Sequence, residues 1–358
     1  MAICQIVYNV YYIMKIILIG PCGGGSVPKN GASAKNYHLV KFLKGKNINI
    51  STIDTENWRK NPLVLVRLFF MILVNPKAKF IVATNNMSSY RVFQILSLFP
   101  RKRSIIYWII GGSIADWIKE GKISRKPFEC IEWFLVEGKK MQSTFAVVGF
   151  KDNVLYVPNF KNISYLPSRV ENNSPVTRFV FLSRITPMKG CDIIFDAVNK
   201  INANYRDRLI VDFYGPIEDN YDEEFKLKVD SLPNVSYKGF IDLRNEKNYD
   251  FLANYDTMLF PTYWHGEGFP GIIIDAFIAG LPVIASDWSL NADIIEDGKT
   301  GIIIDVKNVD ALAEAMTRLI EDKNLINGMS KQCSARAMDF EINSVLSKEL
   351  FEKIGIEI

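Results

Sequence analysis

Short apolar runs that alternate with helix-forming segments constrain the fold of this chain more than any other feature. In the first half the runs cover residues 15–20, 48–53, 80–84, 105–110, 133–137 and 154–157. In the second half they cover residues 179–182, 209–214, 235–238, 257–260, 283–285 and 302–304. Strands that alternate with helices predict an α/β fold with a doubly wound parallel sheet, and two such sets in 358 residues predict two domains.

A polar, turn-rich segment at residues 158–175 separates the two sets of strands and is the predicted linker. We expect an N-terminal domain at residues 14–165, a C-terminal domain at residues 166–335 and a terminal helical segment at residues 336–358. Residues 1–13 are interpreted as an upstream extension, because Met14 directly precedes the first predicted strand.

The first twenty residues are largely apolar and resemble a signal peptide only superficially. No basic residue precedes the apolar run, and Lys15 lies inside it. A short N-terminal anchor remains the alternative.

Cysteine and histidine usage favours a reducing compartment without a metal site. The five cysteines are scattered without a CxxC pair, only two histidines are present, and no Asp-x-Asp triplet occurs. We expect neither a disulfide framework nor a bound metal or cofactor.

Charge is divided unequally between the two halves. Residues 1–165 carry 23 Lys and Arg against 8 Asp and Glu, whereas residues 166–358 carry 20 against 31. Such an excess predicts an anionic partner for the first half, either nucleic acid or a membrane. The apolar run at residues 63–74 precedes Lys77, and a second apolar segment precedes residues 101–103, which are basic. Apolar and basic residues together favour a membrane surface; the alternative is a buried helix with a solvated basic rim.

Residues 260–288 read as strand, loop, helix and strand, and their loop carries the most informative chemistry. A tight turn contains Glu267, Pro270 is predicted at the first helical position, and Asp275 lies in the helix. The unpaired N–H groups of a helix start form an anion site, while carboxylates accept hydrogen bonds from hydroxyls. The segment therefore predicts a ligand that carries phosphate between hydroxyl-rich groups.

At these residues the chain resembles glycosyltransferase family 4, whose signature is a Glu followed by seven residues and a second Glu. Here Asp275, one methylene shorter, stands in the second position. A second match is SRITPMKG, which contains Arg184 and Lys189. The resemblance implies that Glu267 meets the transferred sugar, that Asp275 meets the ribose, and that Arg184 and Lys189 grip the donor diphosphate.

Further donor contacts are implied by the same resemblance. Gly31 would face the diphosphate, Phe240 would lie where the nucleotide base packs, and His265 would either touch the sugar or support its loop. The remaining predicted substrate-binding residues are Gly215, Gly268, Phe269, Pro270, Gly271 and Ile272.

The resemblance implies a GT-B fold, with two Rossmann-like domains facing across a cleft, and sugar transfer with retention of configuration. The donor would be a nucleoside-diphosphate sugar, with UDP the first candidate and GDP the second. A basic, apolar first domain suits a membrane-linked oligosaccharide acceptor, at the cytoplasmic face of the plasma membrane, in the synthesis of capsule, O-antigen or exopolysaccharide. In the family the last helix commonly crosses back to the first domain, and residues 341–354 are its candidate here.

Two other functional classes remain open from the sequence. One is a sugar-nucleotide epimerase of similar build, and the other is a non-catalytic, membrane-associated protein that binds a nucleotide sugar. Asp116 would either orient an acceptor hydroxyl or cap the following helix. A P-loop and a dinucleotide fingerprint are both disfavoured, because the glycine-rich residues 20–36 lack their spacing.

Overall fold

The computed structural model describes residues 15–23, 31–56, 58, 61, 63–99, 103–111, 113–169 and 174–358. The chain divides into two compact units. The first comprises the described part of Met1–Val136 together with Thr144–Leu155 and Lys348–Ile358. The second comprises Glu137–Ser143 and Tyr156–Ser347, with the same restriction to described residues. The interpretation of residues 1–13 as an extension concerns residues outside the described part.

The first unit contains a six-stranded sheet in the order β2-β1-β3-β4-β5-β6, with parallel pairing from β2 to β5. Its strands are β1 (Ile16–Gly20), β2 (Ile50–Asp54), β3 (Lys79–Val82), β4 (Ser104–Trp108), β5 (Trp133–Val136) and β6 (Val154–Tyr156). The helices that follow these strands are α1 (Gly31–Gly45), α2 (Leu63–Val74), α3 (Asn86–Leu96), α4 (Ile114–Lys119) and α5 (Lys139–Val147). The alternation read from the sequence is confirmed, with shifts of one or two residues at several ends.

A buried side chain of α1 bonds to the segments that follow two strands of the first unit. Asn36 of α1 donates hydrogen bonds to the carbonyls of Pro21 and Ala83, which follow β1 and β3. This places the N-terminal part of α1 at the carboxyl edge of the sheet, where parallel folds bind ligands.

The C-terminal segment is built differently from the single helix expected over residues 341–354. It forms two short helices, α13 (Ile342–Val345) and α14 (Lys348–Lys353), instead of one, whereas the expected return to the first unit is found for Lys348–Ile358. The second helix belongs to the first unit, where Phe351 stacks on Phe42 with ring centroids 6.0 Å apart. Lys79 Nζ also donates to the carbonyl of Ile354 at 2.5 Å.

The second unit contains a parallel six-stranded sheet in the order β12-β11-β10-β7-β8-β9. Its strands are β7 (Thr177–Leu182), β8 (Leu209–Tyr214), β9 (Val235–Tyr237), β10 (Thr257–Phe260), β11 (Val283–Ser286) and β12 (Gly301–Ile304). Its helices are α6 (Cys191–Tyr205), α7 (Asp222–Ser231), α8 (Asn248–Leu252), α9 (Gly271–Ile278), α10 (Asn291–Ile294), α11 (Val309–Glu321), α12 (Lys323–Ala337) and α13.

Aromatic side chains fill the centre of the second unit. Phe213 of β8 lies between Phe181, Phe195 and Phe225, with ring centroids 5.2 to 5.4 Å apart. All four rings are buried, and aromatic rings contribute the largest apolar areas to a core. This core holds β7, β8 and α6 rigidly, and with them the loops at the carboxyl edge of the sheet.

Candidate active site

The carboxyl edge of the second sheet gathers the principal residues predicted from the sequence. Arg184 and Lys189 follow β7, Gly215 follows β8, and Glu267 follows β10. Since β10, β7 and β8 are neighbours in a parallel sheet, their following loops lie side by side.

Lys189 and Glu267 form a largely buried ion pair. Lys189 Nζ lies 2.5 Å from Glu267 Oε2, and the two side chains are only 12% and 10% exposed. Thr262 Oγ1 donates to the same carboxylate oxygen at 3.1 Å. A buried charge is tolerated when a partner and hydrogen bonds compensate for lost water, so this arrangement fixes both groups in one geometry.

Close backbone packing brings the two loops of the pair together. Gly190 adopts a left-handed conformation with φ of +85°, and a Cβ built there would lie 2.3 Å from the carbonyl oxygen of Pro261. The N–H of Tyr263 donates to the carbonyl of Met188 at 2.9 Å. Only glycine at position 190 permits both the conformation and this approach.

Arg184 occupies a different environment from Lys189. Its guanidinium is exposed and lies over the indole of Trp264, 5.6 Å from the ring centroid. Trp264 belongs to the turn that carries Glu267, because its carbonyl accepts the N–H of Glu267 at 3.0 Å. Arg184 therefore lies beside the turn of the ion pair, with its N–H donors accessible to solvent.

The turn around Glu267 is supported by residues that follow β11. Trp288 Nε1 donates to the carbonyl of Trp264 at 2.8 Å, and the hydroxyl of Ser289 donates to the carbonyl of Glu267 at 2.8 Å. His265 is exposed, and its ring meets Trp288 edge-on at 5.8 Å. The ring of His265 thus contacts one of the residues that hold the turn, and both its role as loop support and its contact with a sugar stay predictions.

Helix α9 begins one residue later than the sequence predicted. Pro270 is the N-cap residue rather than the first helical residue, because its backbone is extended (φ −74°, ψ 104°). Gly271 and Ile272, both half-buried, open the helix with N–H groups at the carboxyl edge of the sheet. Gly268 precedes them in the turn, and Phe269 is buried with its ring 5.6 Å from that of Phe340.

Asp275 is almost fully buried, and both of its carboxylate oxygens accept hydrogen bonds. The hydroxyl of Tyr249 donates to Oδ1 at 2.5 Å, and Lys161 Nζ donates to Oδ2 at 2.9 Å. Burial, and then the charge of Asp275, raise the pKa of Tyr249, so its hydroxyl remains a proton donor. The predicted contact between Asp275 and a ribose stays a prediction, and the structure adds two partners that the sequence did not indicate.

The second unit is similar to a known protein family. Residues 167–337 match the family model of glycosyl transferases group 1. We refer to these residues as the group 1 domain. The match begins in the polar linker and ends with α12, so it includes every residue of the ion pair and of α9.

Relatives and solved structures agree with this assignment. The capsular polysaccharide biosynthesis glycosyltransferase CapM of Staphylococcus aureus is 28% identical over 146 residues, which are 40% of this chain and 37% of CapM. The UDP-Gal:alpha-D-GlcNAc-diphosphoundecaprenol alpha-1,3-galactosyltransferase of Escherichia coli is 33% identical over 78 residues, 22% of this chain and 19% of that protein. The matched stretches thus span less than half of these relatives.

The fold is shared over nearly the whole chain. HepE of Anabaena, solved in complex with UDP, superposes with a TM-score of 0.70 at 15% identity, covering 95% of this chain and 99% of HepE. The two parallel six-stranded sheets are those of the GT-B fold, which confirms the predicted fold class. That the site faces a cleft between the two domains stays a prediction.

Two further residues of the group 1 domain were predicted to contact the donor. A Cβ on Gly215, whose φ is +140°, would lie 1.8 Å from the carbonyl oxygen of Ser183, so the backbones after β7 and β8 touch there. Phe240 follows β9, and its ring is 69% exposed. An exposed ring can stack on a base, but this role of Phe240 stays a prediction.

Two predicted residues lie in the first unit, outside the group 1 domain. Gly31 is the first residue of α1, and residues 24–30 of its glycine-rich loop fall outside the described residues. Asp116 lies in the first turn of α4, where Ser113 and not Asp116 occupies the N-cap position, so the cap interpretation is wrong. Contacts of Gly31 with diphosphate and of Asp116 with an acceptor stay predictions.

No group of three or more His, Cys, Asp or Glu side chains close enough to hold a metal ion occurs among the described residues. The expectation that no metal or cofactor takes part stays a prediction.

Proposed function

We propose that this protein is a retaining glycosyltransferase of family 4, which transfers a sugar from a nucleoside-diphosphate sugar to a lipid-linked saccharide acceptor. The observation that supports the proposal is the largely buried Lys189–Glu267 pair, in which Glu267 precedes the start of α9 by four residues in the chain. A cation, a carboxylate and the N–H groups of a helix start are the set that a sugar diphosphate requires.

Each group then has a part in the reaction. The bond between the anomeric carbon and the β-phosphate oxygen breaks, and a bond to the acceptor oxygen forms on the same face. The acceptor proton passes to the leaving phosphate, whose growing negative charge Lys189, Arg184 and the start of α9 stabilise without a metal. Glu267 accepts hydrogen bonds from the sugar hydroxyls, and Asp275 lies on the ribose side.

The relatives support a role in cell-surface polysaccharide synthesis. CapM is named for capsular polysaccharide biosynthesis, and the Escherichia coli relative is named for a diphosphoundecaprenol-linked acceptor and a UDP sugar. HepE binds UDP in its structure. We therefore propose UDP as the nucleotide, with GDP as the alternative, and capsule, O-antigen or exopolysaccharide as the product class.

A thermal-shift panel of nucleoside diphosphates and nucleotide sugars tests the donor site. One nucleoside diphosphate is expected to stabilise the protein by about 2.7 kcal/mol at 100 times its Kd, because ligand binds only the folded state. Absence of any shift with UDP, GDP and their sugars at millimolar concentration would contradict the proposal. Radiolabelled sugar recovered in a lipid-extractable product distinguishes a transferase from an epimerase, which would leave all label on the nucleotide.

Helix α2 supports attachment of the first unit to an anionic membrane. Its inward face consists of Leu68 and Ile72, whereas Leu63, Val66 and Phe70 are at least 60% exposed. These three residues recur at spacings of three and four and so share one face of the helix. The alternative of a buried helix with a basic rim is therefore wrong in its first part, because one apolar face of α2 is exposed.

The basic residues around the exposed face of α2 indicate what kind of partner it meets. Arg67 is exposed on α2, exposed Lys77 follows its end, and residues 1–165 carry an excess of 15 basic residues. Exposed apolar side chains among basic ones match the boundary between headgroups and acyl chains of anionic lipids. In the described part of the chain no helix combines the length and the apolar character needed to cross a membrane. We propose peripheral attachment at the cytoplasmic face of the plasma membrane.

The double variant Val66→Ser/Phe70→Ser is expected to weaken sedimentation with liposomes of phosphatidylglycerol and phosphatidylcholine by at least about tenfold, because two apolar side chains no longer enter the bilayer. Wild-type binding should also fall as salt rises. Leu227→Ser is the control, since Leu227 is 71% exposed in the second unit. An equal loss of liposome binding by Leu227→Ser would contradict the attachment. Binding that persists on neutral liposomes and in high salt would contradict it as well. Salt-independent self-association of the protein would instead assign the exposed face of α2 to a second copy.

A further inference from the structure

Lys161 lies in the segment that the sequence presented as a linker, yet its backbone is fixed. Its N–H donates to the carbonyl of Phe340 at 2.9 Å, and its carbonyl accepts the N–H of Ile342 at 2.8 Å. The two hydrogen bonds form an isolated parallel bridge with Glu341. The side chain therefore starts from a defined position, which is required of a group that binds a ligand.

The ammonium of Lys161 lies at the start of α9. Nζ is 2.9 Å from Asp275 Oδ2, and a Cβ built on Gly271 would lie 3.8 Å from Nζ. Next to it, Asn159 Nδ2 donates to the carbonyl of Phe269 at 3.4 Å. The ammonium thus stands between the buried carboxylate and the first residue of the helix.

Lys161 is the accessible partner of its ion pair. Its side chain is 33% exposed, whereas that of Asp275 is 6% exposed. An ammonium has three N–H donors, and the bond to Asp275 uses one of them. Tyr249 donates to the other oxygen of Asp275, so both carboxylate oxygens are engaged. The solvent-accessible charge of the pair is therefore the ammonium of Lys161 and not the carboxylate of Asp275.

We propose that Lys161 is a donor-binding residue whose ammonium donates hydrogen bonds to the phosphate oxygens of the nucleotide sugar, and that Asp275 and Tyr249 position it. This inference rests on the proposed function and deepens it. The proposed donor site then has three cations: Arg184, Lys189 and Lys161. Asp275 then acts on the donor through Lys161 instead of contacting the ribose directly, because Tyr249 and Lys161 already engage both of its carboxylate oxygens.

The test compares ligands with and without phosphate. Kd values for UDP and uridine are measured by calorimetry for wild type, Lys161→Met and Lys161→Arg, with GDP and guanosine in parallel. We expect Lys161→Met to weaken the diphosphate by about tenfold at low salt and less at high salt, because a charge-assisted hydrogen bond is lost. Nucleoside binding should change little, and Lys161→Arg should retain most of the diphosphate affinity.

A matched control separates binding from structure. Lys323 Nζ lies 3.4 Å from Asp256 Oδ2 with side chains 24% and 2% exposed, and Asp256 directly precedes β10, at the opposite end of that strand from Glu267. Lys323→Met should therefore affect the free energy of unfolding without changing diphosphate affinity. If Lys161→Met weakened the binding of UDP and of uridine equally, or if the folded variant bound UDP as tightly as wild type, the role of Lys161 would be overturned while the proposed function stood. If wild type binds neither diphosphate, the proposed function itself is wrong.

Discussion

Replacement of Glu267 by Gln is expected to lower kcat/KM for sugar transfer by about a hundredfold or more. Gln preserves the shape of the side chain but removes the charge that pairs with the ammonium of Lys189 and that we propose accepts hydrogen bonds from sugar hydroxyls. Preorganised electrostatic contacts at a reacting centre contribute about 10²–10³ in rate when one is removed. The measurement is transfer of labelled sugar to a lipid-extracted acceptor, with the donor identified by the ligand panel.

Stability must be followed in the same variant, because Gln leaves the charge of Lys189 buried without its carboxylate. The double variant Lys189→Met/Glu267→Gln removes both charges and should recover part of the lost free energy of unfolding, but not activity. Glu296→Gln is the matched control, since Glu296 forms a half-exposed pair with Arg336 in the same unit. Transfer within about threefold of wild type by a folded Glu267→Gln protein would show that this carboxylate has no part in catalysis.

Replacement of Gly190 by Ala should lower the free energy of unfolding of the second unit by about 3 kcal/mol or more. A left-handed backbone costs an L-residue about 1–2 kcal/mol, and the added Cβ would meet the carbonyl of Pro261 at 2.3 Å. Urea unfolding measures the loss. The same backbone shift should displace Lys189 from Glu267, so residual folded protein should bind a diphosphate more weakly.

Gly298 supplies the control for this substitution. Its φ is +74°, but a Cβ there meets no atom within 4 Å, so Gly298→Ala carries the conformational cost without the collision. The difference between the two variants isolates the contact between the loops after β7 and β10. Equal destabilisation by both variants would show that the collision with Pro261 adds nothing to the cost of the substitution, against the prediction.

The sequence predicted the two sheets and the principal site residues for identifiable reasons. Each strand is a short apolar run with turn residues at its end, and parallel strands place the loops after them at one edge. Lys189 and Glu267, 78 residues apart, could therefore be assigned to one site before their distance was known. Their direct pairing was not predictable, because it depends on the approach of Gly190 to Pro261.

The features that the sequence did not predict depend on tertiary contacts, which the spacing of residue types along the chain does not report. Tyr249 and Lys161 reach Asp275 from a short helix and from a segment rich in turn residues, neither of which carries a recognisable motif. Helix α2 is apolar on nearly all sides, so periodicity alone does not identify its buried face. The stacking of Phe351 on Phe42 joins residues 309 positions apart, which local propensity does not report.

The return of Lys348–Ile358 makes the first unit discontinuous in sequence. Phe351, which stacks on Phe42, and the Ile354 carbonyl, which accepts a hydrogen bond from Lys79, 275 positions earlier, follow the second unit in sequence. A fragment that stops before α14 would therefore lack part of the packing of the unit that carries α2. The helix proposed to meet lipid thus belongs to a unit whose full stability requires a distant part of the chain.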